Sequence, residues 1–115
     1  MAIFTSTDQT ITDGGTLTIA HGLGVIPKMV QHYLVCQTAN NGWAVNDVVT
    51  PMEVSQGNPT NGGIGVCVKV DATNLTVYYG SRTGDQALLV ATSGSVGGNF
   101  YITESQWKMR FVAFA

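Results

Sequence analysis

The chain has few charged residues and no long hydrophobic run. Asp, Glu, Lys and Arg make up 10% of its 115 residues, against a usual share of about 25%. The five Lys and Arg are scattered, so no basic stripe is present to neutralise phosphates, which disfavours a nucleic-acid partner. No run approaches the roughly 18 apolar residues that span a bilayer, and the N-terminus lacks the features of a signal peptide. We therefore expect a protein made in a cytoplasm, with no membrane partner.

Cysteine and histidine are also scarce, with two of each. Cys36 and Cys67 lie in predicted strands among aliphatic residues, and we expect free thiols in the core rather than a disulfide. His21 and His32 have no neighbour at a metal-binding spacing, so we expect no metal and no cofactor. No nucleophile motif or distinctive carboxylate pair is present, and we expect no enzymatic activity.

The chain is instead rich in glycine and in neutral polar residues. Glycine and proline recur too often for helices, and the runs between them are rich in Val, Ile, Thr, Tyr and Phe, which favours strands. We predict an all-β fold: a single antiparallel β-sandwich or flattened barrel of about seven to eight short strands. The domain covers residues 1–115, with residues 1–9 as an N-terminal strand or arm.

Alternation and turn residues predict the order of the strands. Residues 10–12 and Thr16–Ala20 read as a hairpin around Asp13-Gly14-Gly15, and residues 65–70 and 75–80 as a second hairpin. The predicted remainder is a short strand at residues 87–92, exposed loops at residues 55–65 and 93–99, a turn of helix at residues 103–106 and a last strand at residues 107–115, which ends the sheet beside the first strand.

The stretch from His21 to Thr38 organises the prediction. Gly22, Gly24 and Pro27 break the backbone, and His21 caps this turn through hydrogen bonds to backbone groups. The following strand carries apolar residues on both faces. Such a strand is either central in its sheet, or has one face in the core and the other against a neighbouring subunit.

Two sets of residues are candidates for binding. The apolar excess over one sandwich core predicts a subunit or capsid interface. The aromatic and amide groups near Asn- and Gly-rich loops are alternatively candidates for glycan contact, because aromatic faces stack on sugar rings. The interface candidates are Ile3, Phe4, Tyr33, Phe111 and Phe114, and the glycan candidates are Trp43, Asn58 and Asn61.

A resemblance adds to this reading. The segment Thr-Leu-Thr-Ile-Ala-His-Gly-Leu-Gly-Val-Ile-Pro-Lys-Met-Val, the Asn-Gly-Trp turn and the closing Trp-Lys-Met-Arg-Phe-Val-Ala-Phe run resemble small tailed-bacteriophage virion proteins. The layout is also similar to tail-fibre-tip domains and, in outline, to the H-type lectin sandwich, which assembles as a trimer. These motifs are structural and assign no sugar-contacting residue.

The resemblance implies a homotrimer in the virion. Because the sequence starts at Met1, a few residues before its first turn, we expect a free-standing capsid decoration (cement) protein that binds the major capsid protein, on the capsid surface rather than the tail. The alternative is a receptor- or carbohydrate-binding fibre tip that recognises a host surface glycan.

Overall fold

The computed structural model describes residues 2–51, 57–58, 62–81, 88–92 and 95–115. It confirms the predicted all-β antiparallel fold, with eight strands in two main sheets. A 3-10 turn at Glu104–Gln106 precedes the last strand. The strands are β1 (Ile3–Thr5), β2 (Gln9–Thr10), β3 (Thr16–Ala20), β4 (Met29–Cys36), β5 (Val48–Val49), β6 (Gly57–Asn58), β7 (Gly62–Gly63), β8 (Val66–Val70), β9 (Asn74–Tyr79), β10 (Leu89–Thr92), β11 (Ser95–Tyr101) and β12 (Trp107–Phe114).

The first sheet is built on the long strands β4 and β12. Its order is β1-β12-β4-β5, and β2 pairs with β12 on the same side as β1. The predicted last strand is therefore correct in its bounds and in its contact with β1, but it lies inside the sheet rather than at its end. The N-terminal segment is a strand, because Ile3 pairs with Phe114.

The second sheet has the order β3-β9-β8. The predicted hairpin of β8 and β9 is confirmed, with Val68 opposite Val77. The predicted hairpin across Asp13-Gly14-Gly15 is wrong, because β2 pairs with β12 and β3 pairs with β9. The glycines instead let the chain cross between the sheets: Gly14 has φ of +64° and its N–H donates to the Gly80 carbonyl. Alternation had indicated the faces of these strands correctly, but not their partners.

Two predicted loops contain strand pairing. β10 pairs with β11, which occupies much of the predicted loop at residues 93–99. β6 pairs with β7 inside the predicted loop at residues 55–65, and residues 52–56 and 59–61 lie outside the described residues. These short strand pairs were not predicted, because the segments are rich in glycine and backbone pairing needs no apolar side chain. The 3-10 turn lies where a helical turn was predicted, but Thr103 makes no side-chain cap hydrogen bond.

The core lies between the two sheets. Strict alternation on β12 buries Trp107, Met109, Phe111 and Ala113 against the inner residues of β9, Leu75 and Val77. Inner residues of β4 complete this layer. The outer residues of both sheets point away from this core, and the two outer faces differ in composition.

Candidate functional site

The outer face of the first sheet carries an exposed apolar cluster at one end. Ile3, Phe114 and Met29 are direct neighbours across β1, β12 and β4. Ile3 is 58% exposed and Met29 is 48% exposed, while Phe114 is partly buried. Cross-strand neighbours lie about 5 Å apart between their Cβ atoms, so the three side chains form one continuous surface.

The turn before β4 adds two further apolar side chains. Val25 and Ile26 are 51% and 62% exposed, and they lie within four residues of Met29. The turn is tied to the same end of the sheet, because the Lys28 N–H donates to the Phe114 carbonyl at 2.8 Å. We call Ile3, Val25, Ile26, Met29 and Phe114 together the apolar patch. Ile3, Phe114 and Met29 are contiguous through strand pairing, and contiguous exposed apolar surface marks an interaction site more often than isolated hydrophobic residues do.

The remainder of this outer face is more polar. Arg110 donates from Nε to Asp8 Oδ1 at 2.9 Å, and Lys108 donates to the Thr10 hydroxyl at 2.9 Å. Both partners of the ion pair are about one third exposed, so the pair adds little stability. Its effect on the surface is to neutralise charge beside the apolar patch.

The outer face of the second sheet has a different composition. Its side chains come from alternate positions of β3, β9 and β8, and most are hydroxyl-bearing or charged. Tyr78 is the one large hydrophobic residue of this face among those described as exposed. The face consists of Thr16, Thr18, Ala20, Asn74, Thr76, Tyr78, Cys67 and Lys69.

His21 holds two turns together. Its Nδ1 accepts a hydrogen bond from the Leu23 N–H at 3.1 Å, so Nε2 carries the proton and donates to the Asp71 carbonyl at 2.9 Å. Its backbone N–H donates to the Thr73 carbonyl. The predicted capping role is confirmed. His21 is buried, with both ring nitrogens satisfied, and it joins the turn before β4 to the turn between β8 and β9.

Gly22, Gly24 and Pro27 define the turn as predicted. Gly22 and Gly24 have φ of +66° and +73°, a region that favours glycine. Pro27 is buried, whereas the residues before it are exposed. The Asp71 side chain supports the neighbouring turn, because the N–H groups of Asn74 and Thr73 donate to Oδ1 and lower the pKa of this carboxyl.

The interface candidates separate into two groups. Ile3 and Phe114 lie in the apolar patch, and Tyr33 lies on the same outer face, where its hydroxyl donates to Gln31 Oε1 at 2.5 Å. Phe4 packs against the core and makes an edge contact with His21. The interface role predicted for Phe111 is wrong, because this residue is completely buried in the core. Lys108 and Arg110 lie on the opposite face of β12 and already indicate which face points outward.

Sequence reasoning missed Met29, Val25 and Ile26. A signal was present for each of them. Met29 has the same parity as Tyr33 on β4, and Val25 and Ile26 lie between turn residues, where an apolar side chain has few neighbours to cover it.

The cysteines are both free, as predicted. Cys36 is buried, and burial raises the pKa of its thiol, with a smaller contribution from the Asp47 carboxylate. Cys67 is exposed on the outer face of β8, so the predicted core position is wrong for this residue. The predicted inner face of β8, which holds Val66, Val68 and Val70, already excluded it.

A buried tyrosine lies at one end of the core. The Tyr79 hydroxyl has no hydrogen-bond partner among the residues that the structure describes. Burial, together with the nearby Glu104 carboxylate, raises the pKa of Tyr79 to about 12. An unpaired buried hydroxyl costs stability, so this position is a place where the packing of the sandwich is not optimal.

A small open cleft lies beside β4, with a volume of about 220 Å³. It lies where β4 extends beyond β5, which pairs only with Leu34 and Val35. Its lining includes a tyrosine, a glutamine, a histidine and a threonine, residue types that can bind a small polar ligand. The lining residues are Val30, Gln31, His32, Tyr33, Thr50 and Pro51.

Of the three glycan candidates, the structure describes the side-chain surroundings of Trp43 alone. Trp43 is partly buried and packs against the core. Its turn is held by backbone hydrogen bonds between Asn40 and Trp43, with φ of +53° at Asn41. Asn58 lies in β6, and Asn61 lies outside the described residues.

Among the residues that the structure describes, no group of three or more His, Cys, Asp or Glu side chains converges as a metal site. No helix in the described part of the chain is long and apolar enough to cross a membrane. Comparison of the chain with protein-family models and with curated proteins finds no match.

Proposed function

We propose that this chain is a non-enzymatic structural protein of a tailed-bacteriophage virion, a capsid decoration protein that self-associates and binds the capsid shell. The observation that carries the proposal is the apolar patch, at which Ile3, Phe114 and Met29 meet in register on the outside of the sandwich. Burying exposed apolar area stabilises association by about 25 cal/mol per Å² before the costs of binding.

The rest of the surface supports an assembly role. Charged residues are few, and the Asp8 carboxylate is paired with Arg110 beside the patch. Lys28, next to Met29 in the chain, is the charged residue nearest to the patch in sequence, so few charges have to be desolvated when the patch is covered. The trimer and the capsid protein as partner follow from the resemblance and are part of the proposal.

The experiment compares one charged substitution on each outer face. Ile3→Glu puts a carboxylate into the apolar patch, and Thr18→Glu puts one on the polar face of β3, where it is already solvated. Light scattering after size exclusion gives the mass of the assembly, and co-sedimentation with capsid shells gives the binding. We expect Ile3→Glu to weaken self-association by about a hundredfold or more, and Thr18→Glu to leave it unchanged.

A wild-type protein that remains monomeric at all concentrations and does not co-sediment with capsid shells contradicts the proposal. The position of the gene adds a further check. A gene beside that of the major capsid protein favours decoration, and one beside tail genes favours a fibre tip.

A carbohydrate-binding module at a fibre tip is the second candidate function, and the cleft beside β4 favours it. Tyr33 offers an aromatic face and Gln31 an amide at the mouth of this cleft. We expect binding on a glycan array to be lost in Tyr33→Ala and retained in Trp43→Ala, because Trp43 packs against the core. Silence of the wild type on the array contradicts this candidate.

A further inference from the structure

The apolar patch lies next to an open strand edge. Within β1 the backbone groups alternate between the two sides of the strand. The Ala115 N–H donates to the Ala2 carbonyl at 3.0 Å, and the Ser6 N–H donates to the Phe111 carbonyl at 2.8 Å. Even-numbered residues therefore bond to β12, and the N–H and C=O groups of Ile3 and Thr5 point away from the sheet.

The open edge is short, because the chain closes its own edge beyond Thr5. The Thr7 carbonyl accepts hydrogen bonds from the Ser6 hydroxyl at 2.8 Å and from Gln9 Nε2 at 3.0 Å. Ile3–Thr5 has no such cover among the described residues. It also has no Lys, Pro or bulge, the devices with which proteins protect exposed edges from pairing.

We propose that β1 pairs antiparallel with β1 of a second copy of this chain, around a two-fold axis at Phe4. This inference rests on the proposed self-association and names its contact. In that arrangement Ile3 of each copy lies opposite Thr5 of the other, and each such pair exchanges both of its N–H···O hydrogen bonds. The first sheets of two molecules then form one continuous sheet.

A second copy fits this edge for two reasons. The strand is self-complementary in the antiparallel sense and carries no charge, so two copies meet without repulsion. The added strand also places an apolar side chain beside those around Ile3, because the two copies of Ile3 lie diagonally across from each other, about 7–8 Å apart.

The second sheet also has an open edge, which is β3, but threonines rather than apolar side chains surround it on the outer face. The His21 N–H donates to Thr73, and the Tyr79 N–H donates to the Gly15 carbonyl, so the N–H of Thr18 on β3 also points away from its sheet. Its outer-face neighbours are threonines, Thr16 and Thr76. β3 is therefore a matched control for β1.

The experiment removes one outward N–H group from each edge. Thr5→Pro deletes a donor that is not used in pairing with β12, and proline is tolerated at such an edge position. Thr18→Pro makes the same change on β3, and Thr5→Ser keeps the N–H. Sedimentation equilibrium gives the mass and the dissociation constant, and circular dichroism with a thermal melt checks that each variant is folded.

We expect a wild-type mass of an even number of chains: a hexamer if the proposed trimer and the edge pairing both form, or a dimer if only the edge pairing forms. We expect self-association roughly tenfold weaker or more in Thr5→Pro, and unchanged in Thr5→Ser and Thr18→Pro. A wild-type trimer, or an assembly that a folded Thr5→Pro variant leaves intact, overturns the edge pairing and leaves the proposed self-association standing. A wild-type monomer overturns both. Whether the wild-type assembly contains an even or an odd number of chains tests the edge pairing even if Thr5→Pro does not fold.

Discussion

The outer faces of the two sheets have the same architecture and different chemistry. On the first sheet, Ile3, Phe114 and Met29 form an exposed apolar row. On the second, Thr18 and Thr76 lie side by side with Lys69. Since the inner faces already enclose one core, the apolar residues of the first outer face contribute nothing to that core. The difference is the one expected if the proposed contact uses the first outer face and the second faces water.

The largest expected effect is on the free energy of unfolding, and it distinguishes the two faces of β12. Phe111 and Phe114 lie on opposite faces of β12, and only Phe111 is completely buried. We expect Phe111→Ala to lower the free energy of unfolding by about 3–5 kcal/mol, because it leaves a cavity. We expect Phe114→Ala to lower it by about 1 kcal/mol or less, while weakening self-association. Denaturant unfolding and sedimentation measure the two effects, and equal unfolding losses would contradict the assignment of the faces.

The two cysteines test the distinction between a buried position and an exposed position on the outer face of the second sheet. Cys67 lies on the polar outer face, and Cys36 is buried with a raised pKa. The thiolate is the reactive form, so we expect a maleimide to label Cys67 at least about a hundredfold faster than Cys36. Mass spectrometry of the digested protein measures both rates. We expect the two labelling rates to become equal only when the protein is unfolded. Equal rates in the native protein would argue against the arrangement of the second sheet.

A further test makes the polar outer face of the second sheet apolar, so that it resembles the outer face of the first sheet. Thr16 and Thr18 occupy alternate exposed positions of β3, and isoleucine is favourable in strands. We expect the double variant Thr16→Ile, Thr18→Ile to gain self-association, with a dissociation constant about tenfold lower. Thr16→Val and Thr18→Ser are the milder controls. If the double variant associates no more than the wild type, exposed apolar area is not what drives assembly.

The smallest effect concerns adjacent tyrosines on the two faces of β9. Tyr79 has a buried, unpaired hydroxyl, and Tyr78 is exposed. We expect Tyr79→Phe to raise the free energy of unfolding by about 1 kcal/mol, and Tyr78→Phe to leave it unchanged.

The pH dependence follows from the same residue. Burial and Glu104 raise the pKa of Tyr79 to about 12, above the unfolded value of about 10. The free energy of unfolding is therefore highest below pH 10 with respect to this group, and it falls as the pH rises toward 12, because the folded state holds the proton more tightly than the unfolded state. The free energy of unfolding, measured between pH 9 and 12, should fall less with pH in Tyr79→Phe than in the wild type. The same pH profile in both proteins would contradict the assignment of this dependence to Tyr79.

Alternation along the chain predicted faces well and partners poorly. The inward rows of β8, β9 and β12 follow from the sequence, since apolar residues recur at every second position. The pairing of β3 with β9 does not follow, because Gly14 and Gly15 fit a hairpin turn as well as a crossing between sheets. Phe111 was misplaced although Lys108 and Arg110, on the opposite side of β12, indicate that the side of Phe111 points inward.

The candidate surface was only partly visible in the sequence. The two-faced character of β4 and the exposure of Ile3 were expected, whereas the contribution of Val25 and Ile26 depends on how the turn around buried Pro27 is oriented. The meeting of Ile3, Phe114 and Met29 requires the register of three strands that are distant in sequence. No local pattern contains that register.

Amide hydrogen exchange in dilute and concentrated protein tests the central claim most directly. If the outer face of the first sheet is the contact surface, exchange in Ile3–Thr5 slows as the concentration rises, while exchange in Thr16–Ala20 does not change. Exchange in Ile3–Thr5 that is independent of concentration, or equal slowing in both segments, contradicts the account.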